Sequence, residues 1–168
     1  GDAVVPTTGD NGTTWTGAYI MQDDDTEAVV AFSVVFEDLA GNPGATAQAT
    51  LDETSVTFDE TATDMTGVVV VLDSGSDTGV SSTDKLTNDT TPTFTVTGLA
   101  LAISDSIYLV IDGAMSGKDK AVSGTLSLTS TTLAEKVLGY SVSVYSMDLT
   151  GNVSSLSTAI TVKVDTTP

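Results

Sequence analysis

The chain has 168 residues, of which 40% are hydrophobic, and this is enough apolar material to bury a core. Its formal net charge of −18 argues against phosphate backbones and anionic membranes as partners, because both would be repelled. All five basic residues are lysines. Since the chain has no Arg, His or Cys, disulfides, Ser-His-Asp catalysis and Cys-His catalysis are excluded.

Short runs of alternating apolar residues follow one another along the chain, separated by clusters of Gly, Asn, Asp and Pro. Period-two runs between turn residues are typical of a β-sandwich built from short strands. A helix-like composition is confined to residues 130–139, too few to change the predicted all-β class. The predicted strands cover residues 15–21, 29–36, 55–58, 67–72, 93–98, 106–111, 125–128, 140–147 and 157–164.

A strand-and-turn phrase occurs twice. The stretch "FSVVFEDLAGN" at 32–42 is matched by "YSVSVYSMDLTGN" at 140–152. The distance from Asp38 of the first copy to Asp148 of the second is 110 residues. A repeat of this size predicts tandem modules, each about the size of an immunoglobulin-like sandwich.

A linker phrase repeats with nearly the same spacing. The stretch "VTFDETAT" at 56–63 is matched by "VKVDTTP" at 162–168, and Asp59 lies 106 residues before Asp165. Both modules are therefore predicted to end in an acidic linker.

The repeat predicts two modules of unequal completeness. Residues 64–168 fit a whole immunoglobulin-like sandwich, whereas residues 1–63 fit only the C-terminal part of one. Compared with the second module, the first module is predicted to lack about 47 residues at its front. A smaller, complete four-strand module is the alternative interpretation of residues 1–63.

In a seven-strand sandwich, successive loops lie at opposite poles because each strand reverses the chain. The N-terminal pole, where the chain enters the second module, is predicted to meet the acidic loop "MQDDDTEA" of the first module. Oxygen-bearing side chains expected there are Asp23, Asp24, Asp25, Glu27, Asp59, Glu60, Asp105, Asp148 and Asn152. A second acidic group is expected at the C-terminal pole, where the chain leaves: Asp77, Asp84, Asn88, Asp89 and Asp165.

Converging carboxylates need a positive partner, and the first module has no basic residue at all. Ca²⁺ takes six to eight hard oxygen ligands, whereas Zn²⁺ prefers the His and Cys that are missing here. The predicted metal ligands are Asp25, Asp59, Glu60, Asp77, Asp84, Asp105, Asp148, Asn152 and Asp165. We expect Asp148, rather than Asp38, to bind metal. Turn chemistry alone is the alternative, because Asp and Asn commonly bond their own backbone in turns.

Hydrolysis of a glycoside and binding of a sugar are the alternatives to calcium binding. A glycosidase needs two carboxylates facing each other across a cleft, and the predicted loops of a small sandwich offer none, so no enzyme is expected. Trp15 and Tyr19 share one face of a predicted strand, where they either form an aromatic platform for a sugar or contribute to core packing.

Several phrases together resemble a known family. The stretch "SDTGVSSTDKLTNDTTPTFTVTG", the turns "DLAGN" and "DLTGN", and the linkers "FDETA" and "VDTTP" resemble the tandem bacterial Ig-like repeats of giant type I-secreted adhesins, the RTX and biofilm-associated surface proteins. The turn is also similar to the Ala-x-Asp-x-Gly phrase of cadherin repeats, with Ser146 replacing Ala and Asp148 as the calcium-binding acid. One departure is Thr63, where the family usually has Pro.

The resemblance implies an extracellular, cell-surface spacer, stiffened by Ca²⁺, that projects an adhesive tip for cell adhesion or biofilm formation. Its partners would be neighbouring Ig-like modules of the same chain, with any host or surface ligand bound by distant domains. Direct binding of a glycan or a host protein by this segment is the alternative function.

Overall fold

A computed structural model describes residues 4–8, 14–100, 105–121 and 124–168, and within these ranges it contains strands and turns but no helix. The predicted all-β class is confirmed. The chain divides into two compact units, Gly1–Glu60 and Thr61–Pro168, here called unit 1 and unit 2. The repeat in the sequence predicts this boundary three residues later, after Thr63.

Unit 1 consists of two short antiparallel pairs. Strand β1 (Thr7–Thr8) pairs with β2 (Trp15–Thr16), and β3 (Ala28–Val29) pairs with β4 (Thr57–Phe58). These strands are shorter than the predicted runs at 15–21 and 29–36, although an isolated bridge from Val34 to Ala47 prolongs the pairing. None of the residues in unit 1 whose burial is described is buried, so packing does not extend the strands further.

Unit 2 is a two-sheet sandwich. Its strands are β5 (Val69–Leu72), β6 (Leu86–Thr87), β7 (Thr93–Leu99), β8 (Ser106–Ile111), β9 (Ala114–Lys120), β10 (Gly124–Thr129), β11 (Lys136–Met147) and β12 (Ile160–Val164). One sheet has the order β10-β7-β5 and the other β6-β12-β11-β8-β9. All neighbours are antiparallel except β12 and β6, which run parallel.

The core lies between the two sheets and is filled by alternate residues of their strands. On β7, Phe94 and Val96 are fully buried, and Val142 and Val144 of β11 are equally inaccessible. Gly98 allows β7 to pass close to the segment before β5, because a Cβ at this position would lie 2.4 Å from the Gly67 carbonyl oxygen and its φ of +77° is left-handed. The hydrophobic alternation that predicted these strands therefore also defines the core.

The strand directions place the start and the end of unit 2 at opposite poles. Strand β5 ends beside the start of β7, where Leu72 pairs with Phe94. The end of β6 leads into that same start of β7, and β12 runs parallel to β6, with Val164 beside Thr87. The chain thus enters at the N-terminal pole ahead of β5 and leaves at the C-terminal pole after β12.

Candidate metal-binding loops

The turn after β11 is built around the Asp148 carboxylate. Its Oδ1 accepts the backbone N–H groups of Thr150, Gly151 and Asn152 at 2.9, 2.8 and 2.9 Å. It also accepts the Thr150 hydroxyl at 2.8 Å, and Oδ2 accepts the side-chain amide of Asn152 at 3.0 Å. Gly151 has a φ of +96°, which explains the glycine of the repeated phrase.

The matching turn of unit 1 has the same geometry. The Asp38 Oδ1 accepts the backbone N–H groups of Ala40 and Asn42 at 2.9 Å each, and Oδ2 accepts the Asn42 amide at 2.8 Å. These bonds, that of the Asn42 side chain foremost, lower the pKa of Asp38. The recurrence of the phrase is therefore accounted for by turn chemistry in both units.

Metal binding by Asp148 and Asn152 stays a prediction. Partial burial raises the pKa of Asp148, but the hydrogen bonds from Thr150 and Asn152 outweigh it and leave the pKa below its ordinary value. The carboxylate is thus held ionised and oriented. A cation would have to share oxygens that already accept hydrogen bonds.

Replacing Asp148 by alanine should lower the free energy of unfolding of unit 2 by about 1–2 kcal/mol, the size typical of a lost capping side chain. Asp148→Asn should cost less, because its amide oxygen can still accept the three backbone N–H groups. Since the folded pKa is lowered, the carboxylate's contribution is present above the ordinary pKa of 3.8 and is lost as the pH falls through the folded pKa. Denaturant unfolding at pH 7 and pH 3 measures both effects; equal losses for Ala and Asn would contradict the turn role.

Asp105 lies next to this turn at the N-terminal pole. Ser106 of β8 faces Met147 of β11 in an antiparallel pair, so Asp105, just before β8, and Asp148, just after β11, lie at the same end of these two strands. Asp105 is buried, and its Oδ2 accepts the hydroxyl of Thr63 at 3.1 Å, which ties the incoming segment to this pole. The structure therefore places both predicted ligands at the pole that the topology indicated.

In unit 1, the acidic loop and the outgoing linker come together. The backbone N–H of Glu60 donates to Glu27 Oε1 at 3.1 Å. Loss of solvent around the Glu60 carboxylate, and then the charges of Asp23, Glu27 and Asp25, raise the pKa of Glu60. Residues 1–60 contain no Lys or Arg, so no basic side chain of unit 1 offsets this repulsion.

Asp25, one of the predicted ligands, is already engaged within its own loop. Its carboxylate accepts the Tyr19 hydroxyl at 3.0 and 2.8 Å and the backbone N–H of Gln22 at 2.8 Å. Asp59, next to Glu60, is partly buried. The predicted convergence of Asp59 and Glu60 with the acids of the second module stays a prediction.

At the C-terminal pole, Asp77 and Asp84 bind the start of β6. Asp77 is only 5% exposed; its Oδ2 accepts the Lys85 N–H at 3.2 Å, while its buried Oδ1 has no hydrogen-bond partner among the described residues. Asp84 Oδ1 accepts the Leu86 N–H at 3.1 Å. Asp165 follows β12, and its Oδ1 accepts the N–H of Thr167 at 3.1 Å. These acids shape turns around the strand ends of this pole.

A residue that the sequence analysis missed is Glu135, which holds the outgoing linker of unit 2. Its Oε2 accepts the hydroxyls of Thr166, at 3.2 Å, and of Thr167. These bonds, that of Thr167 foremost, lower the pKa of Glu135. Glu27 and Glu60 make the corresponding contact in unit 1, since Glu60 and Thr166 are equivalent in the linker repeat. The signal in the sequence that could have identified this contact is a Glu about 32 residues ahead of each linker.

Within the described ranges, no three or more acidic side chains are close enough to hold a metal ion by themselves. A Ca²⁺ site in these loops would therefore complete its shell with backbone, amide and hydroxyl oxygens, which are normal calcium ligands.

The comparison with protein families agrees with the fold. A search of curated proteins found no match for the chain. No helix in the described parts of the chain is both long and apolar enough to cross a membrane. A family model described as a bacterial Ig-like domain matches residues 63–166, which is more than half of the chain. The chain therefore belongs to the bacterial Ig-like domain family.

Proposed function

We propose that the chain is a spacer segment of an extracellular bacterial surface adhesin, held rigid by Ca²⁺ bound at its acidic loops. The observation that carries the spacer role is the pole-to-pole course of unit 2, from the segment before β5 to the linker after β12. A module of this kind, joined to the next through its linker, lengthens a polypeptide by its own height. Bacterial Ig-like domains commonly occur in surface or extracellular proteins, and the family is generally non-enzymatic, which supports this role.

The outgoing linker of unit 2 has contacts that suit a spacer. Thr166 and Thr167 are bound to Glu135, and the Asp165 N–H donates to the Thr87 carbonyl at 2.9 Å. The linker is thus fixed to the end of β6 and to the loop before β11 before the chain leaves the C-terminal pole. A linker held in this way transmits the orientation of one module to the next better than a free segment would.

The acidic loop of unit 1 is the part of the chain that supports calcium binding. Loss of solvent around Glu60 is the largest cause of its raised pKa, and the nearby charges of Asp23, Glu27 and Asp25 raise this pKa further. A hard cation would relieve the repulsion between these carboxylates. The oxygen atoms of the loops are suitable ligands for such a cation. Extracellular calcium-binding modules in general have dissociation constants of roughly 10⁻⁴ to 10⁻³ M, a range that suits a protein at the cell surface.

The test is thermal unfolding of the whole chain in Ca²⁺ and in chelator, combined with a metal count. At a free Ca²⁺ concentration 100 times the dissociation constant, one site adds about 2.7 kcal/mol to the free energy of unfolding. Glu60→Gln should reduce the Ca²⁺-dependent gain while easing the repulsion in chelator. A melting temperature that does not change with Ca²⁺ would refute calcium stabilisation.

Terbium luminescence provides a local readout of the same loop. Because the Tyr19 hydroxyl bonds to Asp25, excitation of Tyr19 should sensitise a Tb³⁺ ion bound by this carboxylate, and added Ca²⁺ should compete. Tyr19→Phe is the matched control, since it weakens the sensitisation while keeping every carboxylate. Luminescence that survives both Tyr19→Phe and Glu60→Gln would place the ion elsewhere.

The second candidate is direct binding of a glycan or a host protein through exposed aromatic side chains. Trp15 is 59% exposed and Tyr19 is 40% exposed, which is the observation that favours it. Glycan-array binding that is lost in Trp15→Ala would support this function. Absence of binding together with Ca²⁺-dependent melting would support the spacer.

A further inference from the structure

Unit 1 presents an apolar sheet face that no other described residue of unit 1 covers. Phe32 and Val34 alternate along one segment and are 43% and 52% exposed, and Val56 of the neighbouring segment is 70% exposed. No residue of unit 1 whose burial is described is buried. A folded module normally buries its alternating apolar residues against a second layer, so this face lacks its partner.

The equivalent face of unit 2 shows what a partner would be. In the repeat, Phe32 and Val34 correspond to Val142 and Val144, and Val56 corresponds to Val162. These three residues of unit 2 are fully buried. They belong to the core between the sheet of β11 and β12 and the sheet of β5, β7 and β10.

The backbone pairing confirms that the two faces are equivalent. The Val30 N–H donates to the Val56 carbonyl at 2.8 Å, and the corresponding residues Tyr140 and Val162 face each other across β11 and β12.

Beyond the turn, the Ala47 N–H donates to Val34 O at 3.0 Å, as the Ser157 N–H donates to Val144 O at 2.8 Å. Unit 1 therefore has the backbone of the β11–β12 half of a sandwich, with its inner face uncovered.

We propose that this face of unit 1 docks the front segment of a bacterial Ig-like module, equivalent to residues 64–110, which contain strands β5 to β7 and all but the last residue of β8. In unit 2, a segment of this kind comes directly ahead of Ile111, the residue that corresponds to Gly1 in the repeat. The occupant supplies the apolar layer that Phe94 and Val96 supply in unit 2. The same interface already exists within unit 2, so its geometry is available to the repeat.

A second copy of the chain is the competing occupant, and charge opposes it. Residues 1–60 contain 12 acidic and no basic residues, so two copies facing each other through unit 1 would bring 24 negative charges together. The front segment carries six acidic residues and Lys85 over residues 64–110, which is a much smaller repulsion. The docking proposal does not depend on calcium binding.

The experiment adds a second copy of residues 64–110 directly ahead of Gly1 in the full chain. We expect hydrogen exchange at the Val30 and Val34 amides to slow by at least about 100-fold, as for a core strand, and a second cooperative unfolding transition to form. The matched control carries Phe94→Asp and Val96→Asp in the added copy only, and it should lose both effects. Measurements in Ca²⁺ and in chelator separate this outcome from failure of the calcium proposal.

Three results would overturn the proposal. Exchange at Val30 and Val34 that does not differ between the extended chain and its control would show that the segment does not dock. Strong protection of these amides in the unextended chain would show that the face is already covered. Sedimentation of the unextended chain as a dimer, with protection lost on dilution, would identify a second copy as the occupant.

Discussion

Val144→Asp should abolish the cooperative folding of unit 2, whereas Val34→Asp, at the equivalent position of unit 1, should leave unfolding of the 168-residue chain nearly unchanged. Val144 is fully buried between the sheets, so an aspartate there would be desolvated without a partner. We expect a loss above about 4 kcal/mol, which is large compared with the stability of a small domain. Val34 is 52% exposed, and a carboxylate there stays in water.

The measurement is denaturant unfolding followed by far-ultraviolet circular dichroism at pH 7. Val144→Thr is the matched control because it keeps the volume and branching of valine, and its loss should be much smaller than that of the aspartate. If Val34→Asp destabilised the chain as much as Val144→Asp, the inner face of unit 1 would have to be covered, contrary to the burial described above. The two equivalent positions thus test the asymmetry between the units directly.

Hydrophobic alternation was sufficient to predict most strands of unit 2. The run at 106–111 is observed as β8 with these bounds, and the run at 93–98 is observed as β7 with one more residue. Both strands lie inside a packed sandwich, where one face of the alternation is buried. In such positions, side-chain burial and backbone pairing favour the same residues, and local pattern is a reliable guide.

Strand β9 could not be predicted in this way. Its sequence "AMSGKDK" has no apolar alternation, and only Ser116 within it is buried. The strand forms because its backbone pairs with β8 at the edge of the five-stranded sheet. Lysines at such an edge discourage further pairing, so Lys118 and Lys120 suit an edge strand although they give no strand signal.

In unit 1, alternation predicted a longer strand than the structure contains. The alternation at 29–36 is as clear as in unit 2, but the observed strand β3 covers only Ala28–Val29. Alternation records which side chains would face a core, and it does not record whether the covering layer is present. The pattern therefore predicted a longer strand than the described residues can support.

The candidate site was predictable in position but not in detail. Topology located Asp105 and Asp148 at one pole of unit 2, because strand reversal fixes which loops share an end. The hydrogen bonds that occupy the Asp148 carboxylate depend on turn geometry over four residues. The Glu135 contact with Thr166 joins residues 31 apart in sequence, and only the folded pole brings them together.

Phe94→Ala should lower the free energy of unfolding of unit 2 by about 3–5 kcal/mol, since a fully buried aromatic ring is removed and a cavity is left. Phe94 faces Leu72 on β5 and Leu128 on β10 as cross-strand partners, so its ring joins all three strands of the smaller sheet. Phe94→Leu refills part of the cavity and should recover more than half of the loss. Calorimetric unfolding of the three proteins makes the comparison. A loss below about 1 kcal/mol for alanine would mean that the smaller sheet is not held by this ring, and the layer that Phe94 supplies could not serve as the pattern for the segment proposed to dock on unit 1.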